Sequence, residues 1–315
     1  MNEEAKSYRE RRKDFCEKFR KIVVPSISQF EKERKENLKQ ARKTSIIFSF
    51  LGILVLLLLF IFNKNLTSKE SEFVLSIAMF MLCTAYYSWY HIKKGFENKI
   101  KTKIMPIICS CFGDLKWSNF KFSNGLYFVK SGVISKYTNE NYDDIFRGTY
   151  KDVTYEIVEA SYSTGSGKNY RLVFNGAIVC IEMNKNFSGH TVITPDSFSH
   201  NSPLKGLQHT VLEDIEFEQK FDVYTDDEVN ARYLITPSFM ERLLSLKLAF
   251  KAEKVSCAFY DKYLIVALST KLDLFSICSL LKRVDDMQQF YQMYEEIESI
   301  IKLIDHFKLD QKIGL

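Results

Sequence analysis

The sequence predicts an α+β protein: an N-terminal transmembrane helical hairpin with a cytoplasmic helical extension, followed by an antiparallel-sheet α+β domain that ends in a long amphipathic helix. Three observations predict this class. Two long apolar runs lie near the N-terminus, the excess positive charge flanks those runs, and hairpin-spaced strand patterns fill most of the remainder. The predicted segments are 1–43 (basic amphipathic helices), 44–62 and 73–92 (membrane spans), 63–72 (external loop), 93–112 (cytoplasmic stalk helix), 113–284 (cytoplasmic α+β domain) and 285–315 (C-terminal amphipathic helix).

The net charge of +5 is unevenly distributed along the 315 residues. Residues 1–43 carry +6 and residues 93–103 carry +4, whereas residues 44–92 are neutral and residues 104–315 carry −5. A nucleic-acid-binding protein would concentrate its basic residues on the folded domain, so this distribution argues against one. The seven scattered cysteines do not resemble a disulfide framework and are typical of a reducing compartment.

Each apolar run is long enough to cross a membrane. The first contains 19 residues without a charge, and the second contains 20 residues with His91 as its only titratable group. At about 1.5 Å per residue, either run covers a hydrocarbon core of about 30 Å. Buried core helices rarely have so long an apolar run on every face. Because no Asp, Glu, Lys or Arg lies within either run, an anchor is favoured over a transport pathway.

The charges around the two spans predict their orientation. Basic residues precede the first span and follow the second, so both termini are expected in the cytoplasm. Aromatic side chains at the inner end of the second span are expected at the level of the lipid headgroups, and anionic headgroups are expected to attract the neighbouring basic residues. The predicted membrane-interface anchors are Arg42, Lys43, Trp89, Tyr90, Lys93 and Lys94.

Apolar residues at helical spacing continue on the cytoplasmic side of both spans, which predicts a helical stalk. Pro25 and Pro106 are the first helix-breaking residues on each side, so the stalk is expected to end near them.

Beyond residue 113 the pattern predicts mainly strands. Residues 153–160 and 170–183 read as a hairpin around the polar stretch 163–169, and 255–259 with 263–268 read as another. Shorter strands are predicted at 191–194, 221–224 and 231–235. Thr236 and Pro237 predict the start of a helix. The stripe of apolar residues over 285–307 predicts a C-terminal helix that packs on the sheet, on the stalk or on a second copy.

Three stretches together resemble a known family. They are residues 221–243 (FDVYTDDEVNARYLITPSFMERL), 143–150 (DDIFRGTY) and 187–192 (FSGHTV), and Pro25, Glu31 and Arg34 with two following spans match the family's N-terminal layout. The chain resembles the bacterial membrane family called domain of unknown function 3137. The resemblance implies a multi-pass protein of the bacterial inner membrane, and it implies no catalytic residues.

The sequence offers weak signals for chemistry. Residues 163–168 (STGSGK) look like a phosphate loop, but the first glycine and the hydroxyl residue after the lysine are missing, which favours a hairpin turn. Three histidines and Asp196 lie within residues 190–209 at spacings unlike a local metal site. No catalytic residue, resident metal or cofactor is therefore predicted.

The acidic run around Asp226 is the one candidate site. Asp226 and Asp227 could bind a hard cation, or they could form a tight turn with Arg232 as counter-ion, and the turn is favoured. Asp143 and Asp144 are interpreted in the same way, as a turn.

The favoured hypothesis is a non-enzymatic, membrane-tethered interaction or regulatory module with an unidentified protein partner. One alternative is an enzyme or ligand sensor whose site combines Asp226, Asp227 and Arg232 with a histidine. Another is a homo-oligomer in which several hairpins surround lipid.

Overall fold

The computed structural model describes residues 2–62, 67–119, 125–183, 189–195, 204, 206–277 and 279–312, so residues 63–66 of the predicted external loop lie outside it. The chain forms two compact units. The helical unit comprises Met1–Cys111 and Ser276–Gln289, and the α+β unit comprises Phe112–Phe275 and Phe290–Leu315. We call Ser276–Gln289 the docked segment, because it returns to the helical unit after the sheet has been completed.

The helical unit is built from three helices. They are α1 (Asn2–Lys18), α2 (Val24–Phe62) and α3 (Ser68–Cys109), with a π-helical turn at Phe19–Val23 and a 3-10 turn at Ser110–Phe112. Within the described residues, two helices are long and apolar enough to cross a membrane. The predicted helical continuation beyond each apolar run is confirmed, because α2 has 39 residues and α3 has 42.

Proline does not interrupt α3, which passes through Pro106 within the segment 93–112 predicted as the stalk. The helix continues to Cys109, three residues further on. A proline removes its own N–H from the hydrogen-bond ladder and its ring crowds the carbonyl four residues earlier, which weakens or kinks a helix without always ending it. The carbonyl of Pro106 still accepts the N–H of Ser110, so the last turn stays closed.

Small residues lie where α2 and α3 pack together. Gly52 faces α3 so closely that an added Cβ would lie 3.1 Å from Leu82 Cγ and 3.3 Å from the carbonyl oxygen of Ala78. Ser45 Oγ donates a hydrogen bond of 3.2 Å to the carbonyl of Ala85. Close approach through small residues is the usual basis of helix association in lipid.

We expect the substitution Gly52→Leu to destabilise this helix pair by about 1–3 kcal/mol, because the larger side chain overpacks the contact with Leu82. The matched control is Gly95→Leu, since an added Cβ at Gly95 has no atom within 4 Å. The melting temperature, measured in detergent by the loss of helicity, should fall for Gly52→Leu and stay unchanged for Gly95→Leu. Equal melting temperatures for the two variants would contradict the proposed packing.

Charged side chains of α2 and α3 hold the docked segment by its backbone. Arg34 is 7% exposed, and its Nη1 donates to the Leu280 carbonyl at 3.0 Å. Its Nε and Nη2 make two bonds of 2.8 Å to the Glu31 carboxylate. Glu97 Oε1 accepts the N–H of Leu280 at 3.1 Å, and Glu31 Oε2 accepts the N–H of Val284 at 3.3 Å. Leu280 and Val284 are fully buried.

The described residues of the α+β unit form nine strands in one antiparallel sheet, in the order β1-β2-β3-β4-β9-β8-β5-β7-β6. The strands are β1 (Asp114–Ser118), β2 (Asn139–Tyr150), β3 (Val153–Thr164), β4 (Arg171–Glu182), β5 (Thr191–Pro195), β6 (Gln208–Thr210), β7 (Phe221–Thr225), β8 (Lys254–Tyr260) and β9 (Tyr263–Ser269). The helices are α4 (Gly125–Lys130), α5 (Ile215–Glu218), α6 (Glu228–Leu234), α7 (Pro237–Ala249) and α8 (Met287–Lys312). The predicted α+β class is confirmed.

Local signals located several elements correctly. The predicted hairpins β3–β4 and β8–β9 are present. Thr236 caps α7 by accepting the N–H of Phe239 at 3.2 Å, with Pro237 at the first helical position. The predicted C-terminal helix is α8, and Asp305 ties it to the β2–β3 turn through bonds from Tyr150 Oη at 3.2 Å and Lys151 Nζ at 2.5 Å.

One predicted strand is wrong, because residues 231–235 belong largely to α6. The apolar and aromatic residues there resemble a strand, but Asp227 caps a helix by accepting the N–H of Asn230 at 3.0 Å. The capping bond and the short length before Thr236 favour a helical turn over an extended strand.

One face of the sheet is covered by α4 and the residues that follow it. The row Ile145, Val158, Ile178 and Ala267 crosses four paired strands, and it is buried in a cluster that includes Phe128 of α4. Residues two positions apart in a strand point to the same face, so Arg147, Glu156 and Cys180 form a second row beside the first. This second row lies at the edge of α4.

Candidate functional site

Asp226 and Asp227 lie between β7 and α6, where both hold backbone N–H groups. Asp226 Oδ1 accepts the N–H of His190 at 2.6 Å, and Asp227 caps α6 through Asn230. Gly189 packs against them with φ of +85°, so that an added Cβ would lie 2.5 Å from Asp226 Oδ1. Gly189 and His190 of the stretch 187–192 therefore meet the stretch 221–243 at this turn.

Arg232 has different partners from the two aspartates. Its Nη2 donates to Glu228 Oε1 at 2.9 Å and to the carbonyl of Val211 at 2.9 Å. The sequence grouped Asp226, Asp227 and Arg232 as one candidate site. In the structure the aspartates fix backbone around His190 and α6, and Arg232 joins α6 to residue 211.

The histidines of residues 190–209 also have separate surroundings. His190 Nε2 donates to the carbonyl of Ser131 at 2.8 Å, and His209 Nε2 lies 3.4 Å from Asp222 Oδ1. His200 and Asp196 lie outside the described residues.

The predicted interface anchors lie on the long helices of the helical unit. Lys94 Nζ donates to Tyr90 Oη at 3.3 Å and lies 5.7 Å from the centre of the same ring. The anchors Arg42, Lys43, Tyr90 and Lys94 are exposed, and Trp89 and Lys93 are half-buried.

Three carboxylates meet at a β-bulge in β2, where the sequence predicted a turn. Each of Asp143, Asp144 and Glu159 places an oxygen within 4.8 Å of the others. Such a group could coordinate a hard cation. Protein donors already contact the two buried members: Trp117 Nε1 donates to Asp144 Oδ1 at 2.7 Å, and the N–H of Leu274 donates to Glu159 Oε1 at 2.9 Å. The turn at residues 143–144 is therefore replaced by an irregular strand that carries buried acids.

A cavity of about 350 Å³ opens beside α4, on the second row of the sheet face. Register places Arg147, Glu156 and Cys180 side by side on β2, β3 and β4. The next row adds Glu182 of β4, which is paired with Tyr263 of β9. The remaining lining residues are Tyr127, Phe128, Thr154 and Tyr155. The cavity thus has aromatic walls, a thiol in its floor and three charged groups.

Ion pairs organise the charged groups of this cavity. Arg147 Nε donates to Glu156 Oε1, and Lys262 Nζ donates to Glu182 Oε1 at 2.5 Å. Burial raises the pKa of Glu156, and the hydrogen bond from Arg147 offsets part of that increase. Burial also raises the pKa of the Cys180 thiol, with a smaller contribution from Glu156, so the thiol stays protonated near neutral pH. A protonated thiol is a poor nucleophile, so the floor of the cavity suits binding better than covalent catalysis.

One local feature of the sequence bears on this cavity, the turn between β2 and β3. Lys151 and Asp152 have φ of 47° and 62°, as a two-residue type I′ turn requires. Such a turn sets the β2–β3 register and places Arg147 opposite Glu156. Lys-Asp lacks the Asn-Gly or Asp-Gly pattern that usually predicts this turn.

Comparison with known proteins identifies much of the α+β unit. Residues 172–309 match the family described as "Protein of unknown function (DUF3137)". Over this region the chain is similar to the DUF3137 family. The resemblance predicted from residues 221–243 is therefore confirmed at the level of the domain. The DUF3137 match runs from β4 into α8, so it contains Cys180, Glu182 and Tyr263, whereas Arg147 and Glu156 precede it.

No curated protein matches the chain. Among solved structures, the crystal structure of the mycobacterial trehalose monomycolate transport factor A, TtfA, is similar at 8% sequence identity with a TM-score of 0.37. The similarity covers 66% of this chain and 93% of that chain. A likeness at this level carries no functional argument for this chain.

Proposed function

We propose that the chain is an integral, multi-pass protein of the bacterial inner membrane, with both termini in the cytoplasm and an α+β unit that acts there by binding. The exposed apolar surface of α2 and α3 carries this proposal. Phe50, Phe60 and Phe80 are 63%, 83% and 73% exposed, and the surrounding exposed residues are also apolar. A contiguous apolar surface of this kind is unfavourable in water and suits lipid.

The length and charge of the helices support the same proposal. Residues 44–62 would extend for about 28 Å along a helix, close to the thickness of a hydrocarbon core. Basic residues flank this region on the side of the termini, where they can contact anionic headgroups. The fully paired backbone of a helix removes the cost of placing peptide groups in lipid.

Alkaline carbonate extraction of the full chain tests the anchor. We expect the chain to stay with the membrane pellet, because apolar contacts with lipid do not depend on pH. Leu54→Lys combined with Leu58→Lys should release it, since each lysine near the centre of a span costs about 2.5–3.5 kcal/mol. The matched control is Leu248→Lys on α7, where the native leucine is 77% exposed. Release of the unmodified chain would overturn the proposal.

A second candidate function, a ligand sensor, is favoured by the cavity beside α4. Its volume of about 350 Å³ lies in the range of small-molecule pockets. Aromatic walls with a few charged groups are typical of such pockets. We propose this cavity for the sensor in place of the turn at Asp226, because the Asp226 and Asp227 carboxylates already accept backbone N–H groups.

A further inference from the structure

We propose that the cavity beside α4 binds a small organic cation with an apolar body, such as an alkyl- or arylammonium ion. This inference rests on the proposed binding role of the α+β unit and assigns the chemical class of its ligand. Two properties carry it: the walls are aromatic, and two of the three charged residues in the lining are acidic.

The aromatic wall suits the apolar body of a ligand. The Tyr127 and Tyr263 rings meet edge to face, with centres 5.6 Å apart and planes at 84°. Tyr260 packs on Tyr127 with ring centres 5.4 Å apart, and its carbonyl accepts the Tyr127 hydroxyl at 3.4 Å. The Tyr127 ring is thus fixed before any ligand binds, which reduces the entropy lost on binding.

The same aromatic cluster already attracts a cation of the protein. Lys262 Nζ lies 5.3 Å from the centre of the Tyr263 ring, within the distance of a cation–π interaction. The negative face of an aromatic ring attracts an ammonium group whether it belongs to a side chain or to a ligand. A cationic ligand would use this chemistry on the cavity side of the wall.

The charges in the lining favour a cation over an anion. Glu156 and Glu182 line the cavity, and each forms an ion pair, with Arg147 and with Lys262 respectively. The Glu156 side chain is 17% exposed, whereas that of Arg147 is 59% exposed. Of this pair, the Arg147 guanidinium lies toward solvent and the Glu156 carboxylate lies deeper in the cavity. An anionic ligand would have to approach both carboxylates at short range, where repulsion is strong.

Three probes with the same ring test the proposal on the full chain in detergent: benzyltrimethylammonium, benzyl alcohol and benzoate. Binding is followed by the melting temperature and by equilibrium dialysis of each probe. We expect the cation alone to raise the melting temperature and to be retained with the protein in dialysis. Equal binding of the neutral or anionic probe, or no binding of the cation, would overturn the proposal.

Two variants locate the binding site. Glu182→Gln removes a carboxylate that is 38% exposed, and Tyr263→Leu removes the ring. Each should weaken binding of benzyltrimethylammonium by roughly tenfold. The matched control, Glu216→Gln, changes a carboxylate that is 79% exposed on α5 and should leave binding unchanged. If the control weakens binding as much as Glu182→Gln does, the assigned site is wrong. Carbonate extraction of the same variants tests the anchor separately. A variant that loses binding but stays in the membrane pellet is changed in the cavity alone.

Discussion

Replacement of Glu296 by glutamine is expected to stabilise the protein by about 1–3 kcal/mol above pH 7 and to have little effect near pH 5. Glu296 lies on α8 and is 2% exposed. Gln292 Nε2 donates to its Oε1 at 2.9 Å, while Oε2 is buried without a hydrogen bond among the described residues. Burial raises the pKa of this carboxyl from an ordinary value of 4.5 to about 7.

The direction of the pH effect follows from that increase in pKa. The folded protein binds the Glu296 proton more tightly than the unfolded chain does, so the stabilisation is complete below about pH 4.5. It is lost as the pH rises to about 7, and above that value the folded state contains a buried anion. A shift of this size corresponds to about 3 kcal/mol. Glutamine stays neutral throughout, but its amide needs an acceptor, which reduces the gain.

Thermal unfolding of the full chain in detergent between pH 5 and pH 8 measures this effect. The unmodified chain should lose stability across the range more steeply than the Glu296→Gln variant. Glu241→Gln, at an exposed position on α7, is the control and should follow the unmodified chain. Identical pH dependence of Glu296→Gln and the unmodified chain would show that Glu296 does not titrate in this window.

Replacement of Arg34 by alanine is expected to release the docked segment at a cost of about 2–4 kcal/mol, because the pair is partly buried. The change leaves the Leu280 carbonyl and the Glu31 carboxylate without their main partner, and removal of one member of a buried ion pair is strongly destabilising. The hydrogen bond from Arg34 also lowers the pKa of Glu31. This part of the stability is therefore present above the ordinary pKa of 4.5 and is lost as the pH falls through the lowered value.

Hydrogen exchange at the Leu280 and Val284 amides reports directly on this contact, because both amides donate to glutamates of the long helices. Exchange should accelerate in Arg34→Ala. The adjacent variant Lys35→Ala is the control, since Lys35 is 70% exposed and its Nζ lies 3.9 Å from Glu31 Oε1. Unchanged exchange rates in Arg34→Ala would show that Arg34 does not hold the docked segment in place.

The sequence predicted features that depend on neighbouring residues. Uninterrupted apolar runs indicated α2 and α3, and Thr236 with Pro237 marked the start of α7, because helix length and capping are local properties. The contact of Arg34 with Leu280 joins residues 246 positions apart, so no periodicity could reveal it. The resemblance included Glu31 and Arg34 but gave no physical reason for them.

The candidate cavity was missed for a related reason. It depends on the register of four strands, and a shift of one residue would move Glu156 and Cys180 to the opposite face. The acidic run at Asp226 and Asp227 was conspicuous because its charges are adjacent in sequence. Their carboxylates bind backbone N–H groups, which is the usual role of aspartate at turns and helix caps.

The central claim is that α2 and α3 form a hairpin that crosses the membrane twice. The side of the membrane on which each part of the chain lies tests this claim most directly. A single cysteine is introduced at Ser68, before the predicted second span, or at Glu216 in the α+β unit, and intact cells are treated with a membrane-impermeant maleimide. The unmodified chain gives the background from the native cysteines. We predict labelling of Ser68→Cys in intact cells and labelling of Glu216→Cys only after permeabilisation. Labelling of both or of neither in intact cells would contradict a hairpin that crosses the membrane twice.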